Sequence, residues 1–196
     1  AIHNGIKLIN PSNILIAGGM GLKRNYFENC NTGIYSFQYV NILNNNDFKD
    51  CYNGISLVNI SSGTEIKENL IYGSSASVVT PGKGISVRNT HSPLTGINCL
   101  IEENHITNKQ TGISLVNVKS TPENTTRVLN NIMLNFTPVF PTSANISSGA
   151  YVPVNSIQTG ILAEGCDGIQ IKENTINRNF PVIAIEKENI RGIRIS

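Results

Sequence analysis

The sequence contains no tryptophan and is poor in charged and aromatic residues, which make up 14% and 6% of its 196 positions. Its formal net charge at pH 7 is only +2, so a nucleic-acid groove is not expected. No apolar run approaches the length of about 20 residues that a membrane-spanning helix needs. Residues 1–20 also lack the basic and apolar regions of a signal sequence. The composition therefore indicates one elongated domain, over residues 1–196, without a nucleic-acid partner or a membrane span.

Only four cysteines are present, and none belongs to a C-x-x-C motif or to a cluster with histidine. That leaves no recognisable zinc site. The glycine-rich stretch after Ile16 lacks the lysine and the following Ser or Thr of a phosphate-binding loop. We therefore expect neither a metal nor a cofactor.

Asparagine, in contrast, is abundant, with 28 copies in the chain. Six of them belong to a repeated phrase, in which one apolar residue stands three positions before the asparagine and another stands two positions after it. The copies are Leu22-x-x-Asn25-x-Phe27, Leu43-x-x-Asn46-x-Phe48, Ile66-x-x-Asn69-x-Ile71, Ile101-x-x-Asn104-x-Ile106, Val128-x-x-Asn131-x-Met133 and Ile171-x-x-Asn174-x-Ile176.

A glycine followed by isoleucine completes the phrase. The pairs are Gly33-Ile34, Gly54-Ile55, Gly84-Ile85, Gly112-Ile113 and Gly160-Ile161, and Val182-Ile183 takes the sixth place. The gap from the asparagine to the glycine position is 8 residues in four copies and 15 or 29 in the other two. A short fixed unit with insertions at one place is typical of a solenoid, a coil of stacked turns or rungs.

Each unit carries short runs in which apolar and polar residues alternate, as in Ile85-Ser86-Val87. This period of two predicts β-strands with one buried face. The asparagine of each phrase is predicted to form the corner between strands, because its side chain tolerates the left-handed backbone region. Stacked rungs would then align these amides in a hydrogen-bonded ladder. A second amide column is predicted five residues after each glycine position, at Asn10, Gln38, Asn59, Asn89 and Asn117, ending at Gly165.

Cys30 and Cys51 occupy the same place in neighbouring units, three residues after Phe27 and Phe48. Stacking would bring them about 4.8 Å apart, the spacing of adjacent strands. Such a pair is within reach of a disulfide, but buried free cysteine is also common. We expect two stacked thiols, with a disulfide as the alternative.

Through the I-x-x-N-x-I/F…G-I-x-L phrase, the chain resembles the right-handed parallel β-helix repeat family, the pectate-lyase-like superfamily. The resemblance covers most of residues 5–196 and implies an all-β, right-handed, single-stranded parallel β-helix of about six to seven rungs. It leaves the function open, because lyases, hydrolases, epimerases, phage tailspikes and adhesins share this scaffold. Both ends of the chain fall inside a rung, so we expect a segment of a longer polypeptide. The alternative is natural ends, covered by flanking domains or by a subunit of a homo-oligomer.

Two insertions, 72–83 and 137–158, leave the coil at the same corner, on either side of the rung that contains Asn104. Loops on a rigid repeat scaffold often carry function, so we expect them to form the walls of a cleft. A mixture of one cation, amides and rings suits a neutral or weakly acidic sugar. The predicted ligand-binding residues are Lys109, Gln110 and Thr107 on the floor, His105 behind it, and Tyr72 and Tyr151 on the walls.

Several of these residues have simpler explanations. Lys109 is expected to neutralise an acidic sugar or act as a base, or else to be a solvated side chain near a turn, and His105 to be catalytic or simply solvated. Glu68, Glu103 and Glu173 share one place before the ladder asparagine; we interpret them as solvated charges, with a bound cation as the alternative. A group of tyrosines in the first two rungs suits either sugar stacking or ordinary strand structure. The group consists of Tyr26, Tyr35, Tyr39 and Tyr52.

Catalytic residues cannot be assigned from the resemblance. The chain lacks the stacked aspartates of polygalacturonase-like hydrolases, the arginine motif of pectate lyases and the Asp-Pro-His element of the epimerases. Our leading hypothesis is a β-helix at the cell or virion surface, or outside the cell, that binds a polysaccharide in the cleft. Processing by a lyase or hydrolase activity is left open. The competing hypothesis is a structural shaft of a tailspike, fibre or adhesin, without activity in this segment.

Overall fold

A computed structural model describes residues 2–10, 14–19, 24–38, 42–60, 62–73, 82–90, 96–134, 158–177 and 190–195. These residues form 19 short strands, as the alternating runs predict. The strands are β1 (Ile2–Ile9), β2 (Leu15–Ala17), β3 (Asn25–Glu28), β4 (Cys30–Phe37), β5 (Ile42–Asn44), β6 (Asn46–Lys49), β7 (Asn53–Val58), β8 (Thr64–Lys67), β9 (Leu70–Tyr72), β10 (Lys83–Arg88), β11 (Cys99–Glu102), β12 (His105–Thr107), β13 (Thr111–Val116), β14 (Thr126–Leu129), β15 (Ile132–Leu134), β16 (Gln158–Glu164), β17 (Ile169–Lys172), β18 (Thr175–Asn177) and β19 (Ile190–Ile195).

Every third strand belongs to the same sheet, and all neighbours within a sheet are parallel. Sheet A has the order β1-β4-β7-β10-β13-β16-β19, sheet B runs from β2 to β17, and sheet C runs from β3 to β18. The chain therefore passes from A to B to C in each rung, and completes about six rungs. This architecture confirms the predicted right-handed parallel β-helix. Among the described residues, no helix is long and apolar enough to cross a membrane.

Columns of identical or similar apolar side chains fill the interior, because the strand period of two sends every second residue inward. In sheet A, Ile34, Ile55, Ile85 and Ile113 lie directly above one another and are fully buried. The inward column of sheet C consists of Phe27, Phe48, Ile71, Ile106, Met133 and Ile176. At its first step the Phe27 and Phe48 rings stack, with their centroids 4.9 Å apart.

The repeated glycine provides room for that sheet C column. A Cβ atom on Gly84 would lie 2.6 Å from Cγ2 of Ile106 and 2.6 Å from the carbonyl oxygen of Gly112. At Gly33 the same addition would meet the ring of Phe48 at 2.3 Å. The glycine is therefore required by close packing across the coil, since nothing larger than hydrogen fits there.

The repeated asparagines form the predicted ladder, and the middle four are buried. Its five links join the Nδ2 of one residue to the Oδ1 of the next, at distances of 2.8 to 3.0 Å. The linked residues are Asn25, Asn46, Asn69, Asn104, Asn131 and Asn174. Asn104 Nδ2 also donates to the carbonyl of Ile66, and Asn104 Oδ1 also accepts from the backbone N–H of Asn69. Each link thus satisfies polar groups that lie in a dry interior.

The prediction that the ladder asparagine itself adopts the left-handed conformation is wrong. The residue immediately before it has the positive φ, between 53° and 56°, and these residues are Asn45, Glu68, Glu103, Asn130 and Glu173. The reason is that the ladder amide must point inward to its neighbours, so the backbone reverses one position earlier. Glu68, Glu103 and Glu173 are exposed there, as expected for solvated charges.

The second predicted column makes different contacts from the first. Asn89 and Asn117 each donate from the side chain to the other's backbone carbonyl, at 3.2 and 3.3 Å. Asn59 instead accepts from the backbone N–H of Thr90 at 2.7 Å. Asn59 and Asn117 have positive φ, whereas no asparagine of the first column does. This corner is therefore joined through side chain to backbone contacts.

One alignment of the repeats also needs correction. The sequence predicts Val182-Ile183 at the sixth glycine position, but these two residues lie outside the described part of the chain, and the strand that continues sheet A is β19, in which Ile193 pairs with Ile161. The gap from Asn174 to Gly192 is therefore 18 residues, a third long connection at the same corner. The pattern favours the shorter gap of 8 residues only because three other copies share that spacing.

We predict that Asn104→Ala lowers the free energy of unfolding by about 3 kcal/mol, because several buried groups lose their hydrogen-bond partners at once. Asn25→Ala is the matched control, since Asn25 is exposed and makes one ladder bond. For it we expect a loss below about 1 kcal/mol. Denaturant unfolding of both variants measures the difference, and equal losses would contradict the role given to the ladder.

Candidate functional site

The walls of the predicted cleft lie mostly outside the described residues. Of the 72–83 insertion the structure describes Tyr72, Gly73, Gly82 and Lys83, and of the 137–158 insertion it describes the backbone of Gln158. Tyr151 is outside the described residues. Ligand binding between these two insertions therefore stays a prediction.

The floor residues divide into two groups. Thr107 and His105 lie half-buried on the outer face of β12, where Thr107 pairs with Tyr72 and His105 pairs with Leu70. These positions bring Tyr72, His105 and Thr107 together on one surface. Gln110 follows at the corner between sheets C and A, where its backbone carbonyl accepts from Thr159 N–H at 3.0 Å.

Lys109 is not on that surface. Its side chain is 1% exposed, and its ammonium donates a hydrogen bond to the backbone carbonyl of Cys51. Counted from the ladder asparagine, Lys109 occupies the place of Cys30 and Cys51. The interpretation of Lys109 as a solvated side chain is therefore wrong, because its ammonium group is buried against Cys51. The long side chain of Lys109, which belongs to the fourth copy of the repeat, reaches a residue of the second copy.

Burial lowers the pKa of Lys109 from 10.5 to about 8, and the nearby Cys51 and Asp50 oppose this effect only partly. The dry surroundings disfavour the ammonium form, since water is replaced by one carbonyl and weakly polar neighbours. A shift of this size corresponds to about 3 kcal/mol. Lys109 thus destabilises the fold at neutral pH, although its aliphatic chain fills space in the coil.

The two stacked cysteines are free thiols, which confirms the expectation for Cys30 and Cys51. The thiol of Cys30 donates to the carbonyl of Glu28 at 3.5 Å, and that of Cys51 lies 3.6 Å from the carbonyls of Phe27 and Lys49. Burial is the main cause that raises the pKa of Cys51 to about 12. Because the thiolate is the reactive form, this thiol is structural.

The surface that sequence reasoning missed is the outer face of sheet C, formed by the outward side chains of β3, β6, β9 and β12. We call it the sheet C face. It continues from Tyr72, His105 and Thr107 toward the first rung. The strand register places Tyr26 beside Asp47, and Lys49 between Glu28 and Tyr72. A surface with rings, carboxylates and a cation thus extends over four rungs.

Asp47 lies at the centre of this face and is half-buried. It shares a side-chain hydrogen bond with Tyr72, whereas its Oδ1 atom is closed to water and has no hydrogen-bond partner. Burial raises the pKa of this carboxyl, although the Tyr72 hydroxyl and the charges of Arg24 and Lys49 act in the opposite direction. Burial, followed by the Asp47 charge, raises the pKa of Tyr72 to about 12.

Lys49 and Glu28 form an ion pair on the face. Lys49 Nζ lies 2.6 Å from Glu28 Oε1, which raises the pKa of Lys49 above its ordinary value. Tyr26 is 53% exposed beside them. Of the four tyrosines grouped by sequence proximity, Tyr39 lies outside the described residues, and Tyr26 and Tyr35 lie in different sheets, C and A. Counting one and three positions after each ladder asparagine would have identified the face.

Metal binding has no evident place in the described part of the chain, where no group of three or more His, Cys, Asp or Glu side chains is arranged to hold an ion. Glu68 and Glu103 follow neighbouring strands, β8 and β11, whereas Glu173 lies two rungs further along the coil. The three carboxylates therefore do not come together around one ion.

We predict that the stability of the parent protein, compared with a Lys109→Met variant, improves as pH rises from 7 to 10. Between pH 8 and 10.5 the unfolded chain holds the Lys109 proton and the folded protein releases it, so stability increases with pH there. Over this range, the free energy of unfolding of the parent rises by about 3 kcal/mol relative to that of the variant. Denaturant unfolding at several pH values tests this, because the variant cancels the other titrating groups. Parallel pH profiles would refute a buried, destabilised ammonium.

The model of the family described as the right handed beta helix region matches residues 2–133 of the chain. No curated protein and no solved structure gives a significant match. The matched region covers more than half of the 196 residues and includes the first five ladder asparagines. The parallel strands, the stacked apolar columns and this match agree, and the chain belongs to the right-handed β-helix family.

Proposed function

We propose that this protein is a carbohydrate-binding β-helix and that the glycan lies along the sheet C face. The observation that carries the proposal is the exposed ring of Tyr26 beside a row of hydrogen-bonding groups at fixed strand spacing. Asp47 pairs with Tyr26 in the sheet, and Lys49 and Tyr72 pair with each other on the same face.

The chemistry of such a face suits a sugar. An exposed tyrosine ring offers an apolar surface for a sugar ring and a hydroxyl for its polar edge. Carboxylate and hydroxyl groups around it orient a ligand through a small number of hydrogen bonds. Because the side chains stand on a rigid parallel sheet, little conformational entropy is lost on binding. A linear glycan crossing the stacked strands would meet an equivalent position every 4.8 Å or so.

The sheet C face also includes part of the site predicted from the loops. Thr107 pairs directly with Tyr72, and His105 lies two residues before Thr107 on the same face of β12. A ligand on Tyr26 and Tyr72 could extend over these two side chains toward the corner where the insertions leave. Lys109 contributes to the coil interior in this proposal, and a glycan ligand is consistent with a location at the cell or virion surface or outside the cell.

Replacing Tyr26 with alanine should weaken glycan binding about fivefold to tenfold, the loss expected for an aromatic stacking contact. Tyr52→Ala is the matched control, because Tyr52 is 41% exposed and lies outside the face. A glycan array identifies the ligand, and calorimetry then compares the variants, with melting midpoints to confirm folding. Equal affinities for the parent and Tyr26→Ala would exclude this ring from the site.

A structural shaft is the second candidate function, and the unbroken ladder from Asn25 to Asn174 favours it. Continuous stacking of this kind gives a stiff rod that needs no ligand. The array also distinguishes the two functions, since a shaft binds no glycan. Incubation of a bound polysaccharide with the protein, followed by assays for reducing ends and unsaturated products, separates binding from cleavage.

A further inference from the structure

The charges of the sheet C face suggest which glycans it accepts. Its carboxylates are Asp47 and Glu28, and its cation is Lys49, with Arg24 at the edge of the first rung. Lys49 and Glu28 form an ion pair of 2.6 Å, in which both side chains are about one third exposed. The charge of Lys49 is therefore already balanced by a neighbour on the same surface.

Arg24 is engaged as well. Its Nη1 atom donates to the backbone carbonyl of Glu68 at 2.8 Å, and its charge acts on the Asp47 carboxyl. Lys49 thus has an acidic partner on the face, and Arg24 is bonded to a backbone carbonyl within range of the Asp47 charge. An anionic sugar would have to displace an existing contact in order to gain one.

Asp47 adds a direct penalty for a second anion. One of its oxygens has no hydrogen-bond partner and is closed to water, so its charge is screened less than that of a solvated carboxylate. A carboxylate or sulfate group placed over Tyr26 or Tyr72 would lie close to this charge. Neutral hydroxyl groups carry no such repulsion and can donate hydrogen bonds to the exposed oxygens of Glu28.

We propose that the sheet C face selects neutral glycans and rejects glycans that carry carboxylate or sulfate groups, with Asp47 and Glu28 as the residues that determine this specificity. The inference rests on the proposed function, because it concerns the same site. Specificity arises here from repulsion of the wrong ligand as much as from attraction of the right one.

The test compares neutral gluco-, galacto- and manno-oligosaccharides with the corresponding uronic acid oligosaccharides of equal length. For the parent we expect binding of at least one neutral series, with an affinity at least about tenfold higher than for its acidic counterpart. The difference should grow at low ionic strength, because screening of the repulsion decreases. Equal or tighter binding of the acidic series would overturn the inference and leave the proposed function standing.

A charge variant adds a second, independent readout. Glu28→Gln removes the partner of Lys49, so affinity for the acidic series should rise about threefold to fivefold, the range of one exposed ion pair. Glu65→Gln is the matched control: it makes the same change in net charge, and Glu65 pairs with Lys67 at 3.3 Å in sheet B. Equal effects of both variants would assign the selectivity to overall charge and overturn the role of the face. Failure of the parent to bind either series would overturn the proposed function together with this inference.

Discussion

The hydrogen-bonded column of buried asparagines is the constraint on which the rest of this structure depends. Each amide satisfies groups in its own rung and in the neighbouring ones, so a corner is held at one height and one angle. The position of the corner determines the register of the strand that follows it. The inward column of sheet C and the outward residues of the sheet C face are both placed by this single corner, which links the core to the candidate site.

Much of the fold could be predicted because the repeat is local and strict. The spacing of the asparagine, glycine and apolar positions determines which residues stack, and stacking alone defines the coil. The backbone conformation at the corner is harder to predict. The pattern shows that a corner exists, but it does not show which residue adopts the left-handed φ. Glu68 and Glu103 take that conformation although glutamate seldom favours it. The demands of the inward amide outweigh the local preference.

The site was only partly predictable for a related reason. Tyr72, His105 and Thr107 share a surface because strand register places them there, and register follows from the repeat. The position of Lys109 in the chain predicts that it lies with them, but its side chain points into the interior and donates to the carbonyl of Cys51. Its burial depends on side-chain reach across two rungs, which periodicity does not encode. Asp47 was overlooked because its partners come from neighbouring rungs, far away in sequence.

The ladder also has a direction, since every amide donates its link to the following rung and accepts from the preceding one. Aligned amide dipoles polarise one another, so the column acts as one unit with two unlike ends. Deamidation of a single buried amide would convert a donor into a carboxylate and set two acceptors against each other. Deamidation at one corner would therefore interrupt the whole column. Duplication of a complete rung, in contrast, preserves the polarity of the column. A coil of this kind can be lengthened rung by rung, but its ladder positions tolerate no acid.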